Sequence, residues 1–122
     1  MGFPSGFTSP ELFDALSKIG VGAVKESLVK IERGDSPAAQ SGSPSVAAKV
    51  SKEECRIDWN SSATEILQKI AAFSFNPGVY SFIRGEQIKI SKANLTETNL
   101  APGELIATGL VGTKDHAIAL LQ

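Results

Sequence analysis

The 122-residue chain holds one cysteine, one histidine, one tryptophan, one tyrosine and one methionine, which leaves few side chains for catalysis or metal binding. With Cys55 alone no internal disulfide can form, and with His116 as the sole histidine no cluster of metal-ligand spacing exists. Cys55 has no basic activator nearby in sequence and reads as a buried, inert thiol, which fits a reducing cytoplasm. His116 and its neighbour Asp115 read as parts of a structural turn. No apolar run approaches the roughly 18 residues of a membrane helix, and the start lacks a basic-then-apolar signal peptide. A myristoylation motif would need Ser or Thr where Gly6 stands. Excess charge is missing too, since twelve basic residues face thirteen acidic ones. From Pro44 onward the count is eight against eight, so any binding to nucleic acid must come from clustering.

What is present centres on Ala47 to Tyr80. Alternation sets Ile57 and Trp59 on one face and Arg56 and Asp58 on the other, predicting a short half-buried strand in which Trp59 fills the core. Asp58 is placed to satisfy backbone donors where that strand enters a helix. Ser62 and Glu65 form a capping box. Ala63, Ile66, Leu67, Ile70 and Phe73 then make one apolar stripe, and Pro77-Gly78 ends the helix.

Upstream, Met1 to Phe7 reads as an irregular lead-in. Thr8 and Glu11 make another capping box, and Pro10 sits in the first turn, where its missing N–H costs nothing. Leu12, Leu16, Ile19, Ala23, Val24, Leu28 and Ile31 form the stripe of an amphipathic helix that wants a partner surface, and Gly34 supplies its stop. Gly20-Val21-Gly22 is not a dinucleotide loop, because no strand precedes it and the third glycine is absent. Residues 35–45 are small, polar and proline-broken, a linker by composition. Val46, Ala48 and Val50 alternate with polar or small residues and predict a strand. Adjacent Glu53 and Glu54 point apart and read as solvated charge, not as an acid–base pair.

Downstream, Val79–Ile83 and Gln87–Ala93 predict a hairpin across Arg84-Gly85-Glu86. Asn94 to Pro102 is a polar loop. Leu105–Val111 and Ala117–Leu121 predict a last hairpin around Gly112 to Asp115, its final strand apolar on both faces and hence central or covered. Short strands with one helix suggest a small, closed or nearly closed barrel, an α+β to mainly β fold.

The run K-x-S-K-E-E-x-x-I-D-W from Lys49 to Trp59, the alanine at 63, I-x-A-F ending at Phe73 and N-P-G at 76–78 resemble the C-terminal domain of the methionyl-tRNA formyltransferases. QIKISKA from Gln87, Pro102-Gly103, Leu121-Gln122 and Gln40 extend the likeness over most of the chain. That family usually has arginine where Ala71 stands and a second proline where Phe75 stands.

The resemblance implies residues 1–34 as lead-in and the last helix of a catalytic domain, 35–45 as linker and 46–122 as an OB-like barrel that binds initiator tRNA. Formyl transfer from 10-formyltetrahydrofolate would belong to a separate N-terminal catalytic domain, whose motifs are absent here, so no catalytic residue and no cofactor is expected in this chain. Within the barrel, Lys49, Lys52, Arg56, Lys89 and Lys92 fall on solvent faces of predicted strands and are the candidate RNA contacts. The motif Ile57, Asp58, Trp59, Pro77 and Gly78 is the structural signature. A related domain of a sugar-nucleotide formyltransferase or a formyltetrahydrofolate hydrolase, or a structural module, would bind no RNA. The family's further tail beyond Gln122 would leave apolar strand surface exposed around Ala117–Leu121 in its absence.

Overall fold

The N-terminal stripe does wind into a helix, α1 (Ser9–Glu32), which begins directly after Thr8. Its end is fixed by Gly34, whose φ of 79° is open to glycine at little cost. The Gly34 N–H donates to the carbonyl of Ile31 (2.9 Å) and the Asp35 N–H to that of Lys30 (3.0 Å), the paired bonds of a Schellman stop. Ion pairs one turn apart, Lys18–Asp14 and Lys30–Glu26, lie along its surface. None of its residues is buried, and Leu28 (60% exposed) and Ile31 (69%) show that the stripe contributes little burial here.

The computed structural model describes residues 6–74 and 76–121, so Phe75, Gln122 and most of the predicted lead-in lie outside the described residues. It divides into two units, Glu11–Lys49 and a second made of Met1–Pro10 with Val50–Gln122. The first unit is α1 from Glu11 on, followed by irregular chain. The predicted strand at Val46–Val50 does not form; these residues are exposed coil, Val46 to 95%. A period-two pattern needs a neighbouring strand to satisfy its backbone, and none pairs with this stretch.

In the second unit a single 3-10 turn (Glu53–Cys55) opens the fold. Ser51 and Glu54 brace it reciprocally, Ser51 N–H donating to the Glu54 carboxylate (2.6 Å) and Glu54 N–H to Ser51 Oγ (3.3 Å). Ile57 to Trp59 forms no full strand; Arg56 makes an isolated parallel bridge with Tyr80, and the Ile57 N–H donates to the Tyr80 carbonyl (3.0 Å). The predicted facing holds, with Ile57 buried and Arg56 and Asp58 exposed. Trp59 is only half-buried against the core, its Nε1–H donating to Ser81 Oγ (3.0 Å). The fully buried centre belongs instead to Ile118 and Val79.

Helix α2 (Ala63–Phe73) carries the predicted capping box complete, Glu65 N–H to Ser62 Oγ (3.3 Å) and Ser62 N–H to the Glu65 carboxylate (2.9 Å). A further cap comes from the far end of the chain: Asp115 Oδ1 accepts from the Ala63 N–H (2.8 Å). Every residue of the predicted α2 stripe, Ala63, Ile66, Leu67, Ile70 and Phe73, joins one core with Ile57, Val79, Ile90 and Ile118.

The strands form two sheets. β1 (Val79–Ile83) and β2 (Glu86–Ile90) make an antiparallel hairpin whose loop is Arg84-Gly85, both at positive φ as a type I′ turn requires. The predicted strand over 87–93 divides at Ser91. β2 runs out of partner where Ile90 meets Val79, the first residue of β1, and the chain turns to pair as β3 (Lys92–Leu95) with β5 (Ala117–Leu121). β4 (Leu110–Gly112) flanks β5 on its other side, giving the order β3-β5-β4. The predicted strand Leu105–Val111 shrinks to β4, because Leu105 folds back to bridge Val111 around a tight turn at 106–109. β5 is central, as its two apolar faces implied. Ala117 and Ile118 are fully buried, so the expected exposed surface at Ala117–Leu121 is confined to its end, where Leu121 stays 37% exposed. The two- and three-stranded sheets do not join by strand pairing into a closed barrel among the described residues; the fold is a small α+β unit.

Candidate functional site

The β1–β2 hairpin sorts its side chains by alternation: Val79 and Ser81 are buried, and the intervening Tyr80 and Phe82 face outward, Phe82 47% exposed. Strand register sets Lys89 beside Tyr80 on β2, and the bridge sets Arg56 beside Tyr80 on the other side. Arg56, Tyr80 and Lys89 therefore form one lateral row, a cation on either side of a ring. The rings of Tyr80 and Phe82 meet edge to face, centroids 5.9 Å apart at 86°. The Arg56 guanidinium lies 5.5 Å from the Phe82 centroid, a distance at which ring quadrupole and cation attract.

On one side of the row is a hollow of about 430 Å³, walled by Lys52, Pro77, Tyr80, Gln87 and Lys89. Gly78 forms part of it. A Cβ built on Gly78 would fall 1.9 Å from Lys89 Cε, so the lysine stem lies across the space that glycine leaves, at a φ of 86° that glycine tolerates. Cys55 borders the same hollow, buried, its thiol donating to the Ser51 carbonyl (3.4 Å).

On the other side is a shallower depression of about 570 Å³ lined by Arg56, Lys69 and Trp59 together with Glu53 and Asp58. Lys69 Nζ donates to the Arg56 carbonyl (3.3 Å). Asp58 accepts from the N–H of Asn60 (3.0 Å) and its side-chain amide (3.1 Å), and that backbone hydrogen bond holds its carboxyl below the usual range. The Ser51 N–H does the same for Glu54. Asp58 stays ionised at neutral pH, and with Glu53 beside Arg56 and Lys69 the depression carries mixed charge.

Of the five candidate cations, the structure brings Lys52, Arg56 and Lys89 to this face. Lys92 lies elsewhere, in a groove between β3 and α2 that Ala71 also lines. Lys49 is the last residue of the other unit, in the exposed coil. Sequence reasoning missed Tyr80, Phe82 and Lys69; the alternation in V-Y-S-F-I was the available signal for the two rings, since it puts them opposite buried Val79. Asp115 and His116 sit in the β4–β5 turn, the aspartate capping α2 and the imidazole exposed. Among the described residues no three His, Cys, Asp or Glu side chains gather as a metal site would need, and no helix is long and apolar enough to cross a membrane.

Comparison with known proteins agrees with this architecture. Residues 49–122 match the family model described as formyl transferase, C-terminal domain. The methionyl-tRNA formyltransferase of Coxiella burnetii is 35% identical over 103 residues, 81% of this chain and 33% of that protein. That of Thermodesulfovibrio yellowstonii is 32% identical over 114 residues, 90% of this chain and 37% of that one. Among solved structures, a variant of HypX from Aquifex aeolicus superimposes with a TM-score of 0.77 at 26% identity, over 95% of this chain and 23% of HypX. HypX in complex with tetrahydrofolic acid gives 0.68 at 28% identity, over 82% and 19%. The chain thus spans about a third of the curated relatives it matches. With the match covering the 3-10 turn, helix α2 and all five strands, the chain belongs to the formyl transferase C-terminal domain family.

Proposed function

We propose that this chain is the non-catalytic, RNA-binding C-terminal portion of a methionyl-tRNA formyltransferase, holding initiator tRNA for an N-terminal catalytic domain that takes its formyl group from 10-formyltetrahydrofolate in the cytoplasm. The observation that carries the reading is the row Arg56–Tyr80–Lys89 with Lys52 beside it, which concentrates cations and exposed rings on one face of a domain with no net charge. Phosphates are gripped by such clusters through counterion release, and rings beside them suit bases. The OB-like character expected from the resemblance is part of this reading.

Salt dependence of tRNA binding is the test. Each neutralised phosphate contributes roughly 0.7 to 0.9 to the slope of log K against log salt. Replacing Lys52, Arg56 and Lys89 together with alanine should lower the slope by roughly 2 to 3, while Lys92→Ala lowers it by at most about 1. Elongator and initiator tRNA should be affected equally, because these contacts are to backbone. No binding of any tRNA at low salt would instead favour a domain that serves its catalytic partner without RNA. Formyl transfer to methionyl-tRNA by this chain alone should stay at background.

A further inference from the structure

The two hollows flanking the row differ in a way that phosphate contacts alone do not explain. The depression at Arg56 and Lys69 includes two carboxylates, Glu53 and Asp58. The hollow at Lys52 and Lys89 has none among its described lining residues, which include Tyr80, Pro77 and Gln87 beside the two lysines. Its volume of about 430 Å³ lies within the roughly 300 to 1,000 Å³ of small-ligand sites. The Tyr80 backbone is fixed by the Ile57 N–H donating to its carbonyl, and its ring meets that of Phe82 edge to face. Lys89 is laid along the wall by the missing side chain of Gly78.

We infer that this hollow takes one unpaired nucleotide of a bound RNA, its base against the Tyr80 ring and its phosphate between Lys52 and Lys89. The inference rests on the RNA-binding reading and sharpens it, since a paired base inside a duplex cannot present its face to a ring. Gln87 supplies both a donor and an acceptor on the same wall, so it can meet any base edge, and sequence preference should be weak. The N-P-G turn and the hairpin thereby act together: the turn shapes the floor, and the hairpin brings the ring and the cation.

The test compares a short oligouridylate, uridine monophosphate and a blunt RNA duplex of similar charge, bound to the intact chain. The oligouridylate should bind more tightly than the duplex at equal salt, and the ring resonances of the sole tyrosine should shift on its addition. Tyr80→Leu should weaken oligouridylate binding by roughly 5- to 100-fold, the range of one lost base–ring stack, with the salt slope unchanged and duplex binding unaffected. Tyr80→Phe should keep most of the affinity, which separates loss of the ring from loss of folding. Lys52→Ala, at an exposed site, should lower affinity and the salt slope together. Duplex binding at least as tight as oligouridylate, with Tyr80→Leu silent, overturns the nucleotide site and leaves RNA binding by phosphate contacts standing. Equal affinity for uridine monophosphate and the oligomer overturns the assignment to an RNA chain. Absence of binding to all three and to tRNA overturns the function proposed above as well.

Discussion

The two units of this chain hold themselves together in opposite ways. In Glu11–Lys49 the ordered element, α1, is stabilised by what lies within one turn of each residue: its backbone ladder, two ion pairs at i,i+4 and the Gly34 stop. In Val50–Gln122 each short element leans on residues distant in sequence. Trp59 bonds Ser81, Ala63 is capped by Asp115, and Lys92 pairs with Leu121. Local support builds a helix with no core; non-local support builds a core from elements too short to stand alone.

The sharpest way to break this contrast is to delete matched apolar groups in each unit. Ile118 is fully buried on the central strand, so Ile118→Ala should cost about 2 to 5 kcal/mol in urea unfolding. Leu28 on α1 is 60% exposed, and Leu28→Ala should change stability by less than about 0.5 kcal/mol. Equal costs would mean that α1 is covered in solution. Trp59→Ala should fall below the full cost of a buried indole, because the ring is only half-buried.

Caps give a smaller effect that still separates the units. Ser62→Ala removes one half of a reciprocal box and should cost about 1 kcal/mol, read as a lower unfolding midpoint of the folded core. Gly34→Ala forces a side chain into a left-handed conformation and should cost about 1 kcal/mol of α1 alone, seen as helical signal lost at its C-terminal end with the core transition unmoved.

Acid titration should give the smallest and most graded difference. Asp115, Glu65 and Asp58 all have carboxyls held below their ordinary values, first by backbone N–H donors at Ala63, Ser62 and Asn60. A depressed folded pKa means that the stabilisation is fully present above the unfolded value and is lost as pH falls through the folded one. The core unit should therefore weaken on acidification below the usual carboxylate range, and Asp115→Asn should flatten that dependence. On α1 the Glu26 carboxyl is held below its ordinary value by its hydrogen bond to Lys30, so Glu26→Gln should alter the acid response of α1 and leave that of the core unit unchanged. A midpoint that does not move with acid would show that these hydrogen bonds contribute nothing in solution.

Legibility followed the same division. Helix α2, its box and its stripe were readable because capping and 3.6-residue periodicity are written within a dozen neighbouring residues. The hairpin was readable from its glycine-containing loop, though Glu86 joins β2, and the central placement of β5 from its two apolar faces. The strand at Val46–Val50 was misread, since alternation says that a stretch can pair but not that a partner exists. The unbroken strand over 87–93 was misread because the bend at Ser91 is set by where β1 ends, a fact held elsewhere in the chain.

By itself, then, the sequence determined the helices, both ends of α1, the start of α2, the inward face of α2 and, through the Lys49–Trp59 motif, the family; α2 stops at Phe73, short of the Pro77-Gly78 turn expected to end it. Only the tertiary structure decided which cations lie on one face. Lys52, Arg56 and Lys89 are 33 to 37 residues apart at their ends, and they meet because the Arg56–Tyr80 bridge and the β1–β2 register close that distance. Lys92, three residues beyond Lys89, goes to a different groove because the chain changes sheets between them. Charge is a property of residues, but a charged site is a property of strand pairing, which backbone hydrogen bonds between distant segments impose and local pattern does not encode.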